Sequence, residues 1–301
     1  MTSVLDRIAS PPPLLPPSFL LGTALGASIF TIFFRLSPFL TSRLATPSFV
    51  RNVSNLDDAA RYNYHSYLPS TIHAILQVVG TSSFVFFHHG DADADDDATS
   101  FDSRTLVPYG VTRLGPCVYM GIFVGYLLSD LFAAPSLKAM GYPFVAHHVA
   151  ASACWAYCAC HGVMQRVGCM FQFNEVSTPL MNLRQYLLTA GYGSGEPIVA
   201  MTSLAFFAIF GLARVVPLPF VTRDWATRDY FAIRDKVGTR GAVLLTAFFA
   251  VNAALQCGWF YSMCRMVAKM MTAGGTKKEK RPRRKVGEEE EEEEEEKKKA
   301  R

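Results

Sequence analysis

Seven apolar runs divide this chain, and they constrain its fold more than any other feature. They cover about Phe19 to Phe34, Leu68 to Phe87, Cys117 to Ala134, Phe144 to Met164, Val167 to Leu188, Ile198 to Val216 and Ala242 to Met266. Each is near the ~20 residues that a helix needs to cross a bilayer. In hydrocarbon the backbone must satisfy its own hydrogen bonds, and runs of this length do so as helices. The expectation is an all-α, multi-pass transmembrane bundle of about seven spans. Composition agrees, since 50% of residues are hydrophobic and only 18% charged, many of the latter in two low-complexity segments. That balance excludes an ordinary soluble domain. The first run follows a Pro-rich start and could be a signal peptide, but its length and late position favour a first span.

Three regions follow: residues 1–54 with the Pro-rich start and first span, 55–270 as the membrane domain, and 271–301 as a charged tail. Arg35, Arg43, Arg51 and Arg61 follow the first span, and seven Lys/Arg lie between Lys277 and Lys285. Seven spans put both regions on one side, which positive-inside reasoning makes cytoplasmic. The connection between spans six and seven pulls the other way with Arg223, Arg228, Arg234, Lys236 and Arg240, partly offset by Asp224, Asp229 and Asp235. The tail continues through nine glutamates, Glu288 to Glu296, and reads as disordered. Its end, Lys298-Lys299-Ala300-Arg301, resembles the dilysine address of endoplasmic reticulum membrane proteins. The Asn52-Val53-Ser54 sequon would face the cytoplasm and stay unused. Asp91 to Asp97 reads as a solvated acidic loop rather than a calcium loop, because Asp96 stands where the tight turn wants Gly.

The seven cysteines all fall in or at the ends of apolar runs and read as small buried hydrophobes, with no zinc spacing. Neither a metal nor a cofactor is expected. The net charge of +4 is patchy, and no nucleic-acid partner is expected.

The chemistry lies in ionisable residues inside the apolar runs. A charged side chain at mid-bilayer costs at least ~2.5–3.5 kcal/mol, so such residues are functional candidates by default. His147 and His148 start the fourth run, Asp130 ends the third, and the connection between them is short. Hairpin geometry puts all three in one leaflet, with Arg184 near the end of the fifth run and His73 near the start of the second. A carboxylate beside an imidazole fixes its tautomer and raises its basicity, which suits a general base or an acyl carrier. His147, His148 and Asp130 are thus the catalytic candidates. His73, Asn174, Glu175, Thr178, Asn182 and Arg184 are the candidates for lining a lipid cavity. Pro179 should break the fifth helix, and Glu175 should be neutral or paired and face the interior. Arg214, Asn252 and Gln256 read as structural.

Several pieces together resemble a known family: Ser70-Thr71-Ile72-His73-Ala74, Ser129-Asp130-Leu131, His147-His148, and Asn174-Glu175-Val176-Ser177-Thr178-Pro179 with Asn182-Leu183-Arg184. This is the pattern of the TLC-domain proteins, which include ceramide synthases and translocating-chain-associated membrane proteins. The likeness spans roughly residues 55 to 270 and is nearer to the short TLC-domain-containing proteins than to the synthases. It implies an endoplasmic reticulum protein of lipid homeostasis, with a membrane lipid or acyl chain as ligand. In the synthases the paired histidines and nearby aspartates serve acyl transfer from acyl-CoA, which here would fall on His147, His148 and Asp130. The hydroxyl-rich stretch that follows the synthases' histidines is replaced here by VAASACWAYC. A lipid-binding protein is therefore the leading expectation. An acyl-CoA-dependent acyltransferase and a protein-cargo or trafficking factor are the alternatives.

Overall fold

The computed structural model describes residues 14–86 and 115–273. The acidic loop and the charged tail lie outside them. The described residues are predominantly helical, without strands. Helix α1 (Pro17–Leu44) is followed by the short α2 (Pro47–Ser54), then α3 (Asp58–Phe86), α4 (Pro116–Ala133), α5 (Leu137–Met140) and α6 (Tyr142–His161). Next come α7 (Gln165–Phe173), a 3₁₀ turn (Asn174–Ser177), α8 (Thr178–Thr189) and α9 (Pro197–Phe210). A π turn (Gly211–Val215), α10 (Leu218–Asp224), a second π turn (Trp225–Asp229) and α11 (Tyr230–Ala273) complete the described residues. Residues up to Phe260 form one compact unit, and the end of α11 from Tyr261 belongs to a second.

Sequence starts and stops these helices by ordinary means. Pro17, Pro47, Pro116, Pro179 and Pro197 sit in first turns, where the missing N–H is no loss. The Thr46 and Ser136 hydroxyls accept from Phe49 N and Ala139 N as caps. Gly162 closes α6 in the left-handed conformation.

Three helical stretches are long and apolar enough to cross a membrane: Pro17–Leu44, Pro197–Thr227 and Tyr230–Ala268. Cys117–Ala133 is apolar but shorter. The expected fifth span is divided by the 3₁₀ turn, and the expected connection between spans six and seven is itself helical. Its break is Gly238, whose φ of 77° and ψ of 167° no α-helical residue adopts.

Helices α1 and α4 meet backbone to backbone. Gly22 and Gly26 on α1 face Gly121 and Gly125 on α4, each spaced by four. A methyl on Gly22 or Gly26 would strike the carbonyls of Val118 or Ile122, and one on Gly121 or Gly125 those of Phe19 or Thr23. Small residues permit such approach where lipid offers no hydrophobic drive to helix association. Around this seam lies a core of Phe19, Met120, Leu127, Trp155, Val163 and Ile233 among others. Trp225 stacks on Phe249 at 5.2 Å and donates to Thr246, tying the second π turn to α11. Large apolar side chains such as Ile32, Phe39, Leu204, Leu212 and Val251 stand exposed on the outside, as lipid-facing surface requires. All seven cysteines are free, and Cys117, Cys154, Cys158 and Cys169 are buried in packing.

Candidate functional site

Two polar clusters cross the bundle. The first joins α3, α4 and α6. His148 Nε2 lies 3.0 Å from Asp130 Oδ2, and its Nδ1 lies 2.8 Å from the Phe144 carbonyl one turn back. Tyr62 donates to Asp130 Oδ1 at 2.7 Å and to the Asp130 carbonyl at 3.2 Å. A carbonyl only accepts, so Nδ1 carries a proton. Both ring nitrogens of His148 are thereby engaged in a side chain only 8% exposed.

The second cluster joins the 3₁₀ turn, α8, the first π turn and α11. Pro179 has no N–H to give the Glu175 carbonyl, so α7 cannot run on as a regular α-helix and the 3₁₀ turn intervenes. That turn presents Glu175, whose Oε2 accepts from Thr178 Oγ1 at 2.6 Å. Arg214 Nη2 lies 3.7 Å from Glu175 Oε1. Its Nε donates to Ser177 at 3.0 Å, Nη2 to Thr178 at 3.3 Å and Nη1 to Gln256 at 3.5 Å. The guanidinium also lies over the Phe210 ring, 5.0 Å from its centroid, a contact that strengthens when desolvated. The Glu175 and Arg214 side chains keep 20% and 11% exposure.

The remaining sequence candidates separate. His147 makes no hydrogen bond among the described residues, is half-buried, and sits edge-on to His148 at 5.8 Å. Glu175 and Arg214 lie within electrostatic reach of it. His73 is 1% exposed, stacked 4.0 Å from Tyr126 and flanked by Phe30 and Phe123, with both ring nitrogens unpartnered. Asn182 donates to the Tyr67 carbonyl and the Thr71 hydroxyl, fastening α8 to α3. Asn174 is buried, its carbonyl accepting from Ser177. Arg184 donates to Ser203 of α9 at 2.9 Å. Of the further partners, Tyr62 was not singled out from sequence and Arg214 was read as structural. For Arg214 the signal was available: two opposite charges in neighbouring apolar runs have few stable states except pairing.

The described residues also hold surface cavities. One of about 300 Å³ lies between α1, α2 and α3, and a wider one of about 630 Å³ lies between the α1–α2 connection and the segment after α8.

Helices and polar clusters of this kind define a membrane protein, and comparison identifies the family. The TLC-domain model (TRAM, LAG1 and CLN8) matches residues 66–265, and the chain belongs to that family. It is 26% identical to TLC domain-containing protein 4-B of Danio rerio over 246 residues, covering 81% of this chain and 86% of that protein. It is 27% identical to TLC domain-containing protein 4-A of Xenopus laevis, covering 70% and 77% respectively. It is also 28% identical to TLC domain-containing protein 4 of Xenopus tropicalis, covering 68% and 74%. No solved structure matches the chain.

Proposed function

We propose that this chain is a multi-pass endoplasmic reticulum protein of lipid homeostasis that holds a lipid or acyl chain within the membrane. Its C-terminus would be cytoplasmic. The observation that carries the reading is the Glu175–Arg214 pair. Opposite charges in apolar surroundings would ordinarily be sealed against each other. Here they stand 3.7 Å apart, partly accessible, with three hydroxyl and amide partners and the unbonded His147 nearby. Such a group can receive the polar end of a lipid whose chain lies along the exposed apolar faces. The arginines after α1 and the Lys-Lys-Ala-Arg end support the orientation and the compartment.

Lipid analysis of the purified intact protein tests this. Wild type should retain a lipid class that the Glu175→Gln/Arg214→Met double variant loses. Identical lipid content in both, with both folded, would sink the proposal. Acyl transfer is the second reading, and one observation directs it to His147: His148 has no free ring nitrogen. Incubation with acyl-CoA and long-chain bases should then give product with wild type and none with His147→Ala.

A further inference from the structure

The 300 Å³ cavity has a chemistry of its own. Its apolar wall is Pro38 of α1 with Val50 and Val53 of α2. Its hydroxyls are already committed, since Thr41, Ser42 and Ser54 donate to the carbonyls of Ser37, Phe39 and Val50. The donors that remain are Arg61 and His65, four residues apart on one face of α3. Arg61 Nη2 is anchored by the Ser54 and Leu56 carbonyls at 3.1 and 2.7 Å, which fixes the guanidinium at the cavity. Its Nη1 has only Asp58 at 3.7 Å, a carboxylate whose side chain is 89% exposed and well solvated. His65 Nδ1 lies 3.0 Å from the Ser37 hydroxyl. With that hydroxyl donating, the imidazole proton sits on Nε2 as a second donor. The cavity wall carries no carboxylate. It opens at the C-terminal end of α1, a helix long enough to cross the membrane, where lipid headgroups meet water. Arg43 and Arg51 lie in the last turns of α1 and α2 beside it.

We propose that this cavity binds the phosphate of an anionic phospholipid headgroup, with Arg61 as its cation and His65 as the second donor. A phosphate presents several strong acceptors and a planar guanidinium matches them. The glycerol and first methylenes would lie against Pro38, Val50 and Val53. The site shares no residue with the Glu175–Arg214 cluster, so either can fail without the other.

Native mass spectrometry of the full chain, released from phosphatidylcholine nanodiscs with or without phosphatidic acid, tests it. Wild type should retain phosphatidic acid over phosphatidylcholine. Arg61→Gln should lose this preference by about tenfold, or ~1.4 kcal/mol, His65→Gln should lose part of it, and Arg61→Lys should keep part. Asp58→Asn should strengthen retention, because it removes the competing carboxylate, and a misfolded variant could not mimic that gain. Equal retention by wild type and Arg61→Gln would overturn the site. So would an Asp58→Asn variant that binds no better. Added glycerol 3-phosphate should not displace the lipid; displacement at comparable concentration would overturn the lipid assignment in favour of a soluble phosphate.

Discussion

Helices α1 and α4 are joined through glycine, whereas the 3₁₀ turn, the first π turn and α11 are joined through charge. The glycine seam has no side chains to rearrange, and its close approach lets backbone meet backbone. The Glu175–Arg214 cluster is held by long side chains, several hydrogen bonds of 3.0 Å or more, and a 3.7 Å ion pair. One seam is rigid by construction. The other can exchange a partner without moving a helix. The lipid binding proposed above would draw on both properties, which this chain places in different helices.

The comparison can be broken first at the glycines. Gly26→Leu or Gly121→Leu should cost more than ~3 kcal/mol, the upper range for overpacking, because the obstruction is backbone. Fluorescence-detected gel filtration should show loss of the folded peak. Even Gly→Ala at either position should lower Tm. At the charged seam, Arg214→Met or Glu175→Gln alone should destabilise by up to ~3–5 kcal/mol by stranding a largely desolvated partner, and the double variant should recover much of that. A thermal-shift double-mutant cycle measures the coupling, and additive losses would show that the pair is not coupled. At the Asp130–His148 pair, Asp130→Asn should cost ~1.5–3 kcal/mol and Tyr62→Phe ~1 kcal/mol. Ser203→Ala, which removes the Arg184 partner, should cost only ~0.6 kcal/mol, the average for an interhelical hydrogen bond in a membrane.

The helical class and the apolar segments were legible because hydrophobic length is a one-dimensional property. The nearness of Asp130 and His148 was legible too, since a short connection forces adjacent helix ends to one depth. Rotation about a helix axis is not set by depth. Arg184 points to Ser203, and of the sequence neighbours His147 and His148 only the second bonds to Asp130. The break around Pro179 was visible because proline acts locally. The glycine seam was written as Gly22/Gly26 and Gly121/Gly125, a small-residue spacing that carries meaning only once two helices are paired. Tyr62 was harder, because α3 begins at Asp58, well before its apolar run, so a residue outside the expected span reaches Asp130.

The turn Gly211–Val215 closes with Val216 N on the Gly211 carbonyl at 2.9 Å, so it is one residue longer than the α turn it replaces. Chain length there, as much as residue type, aims the guanidinium. Deleting a single apolar residue between Gly211 and Arg214 would swing position 214 by about 100° around the helix. The cation would leave Glu175 with every polar residue still in place. A relative that shows a one-residue gap at this point should therefore also have replaced the acid. That covariation links a gap to a charge, and a search for paired substitutions alone would pass over it.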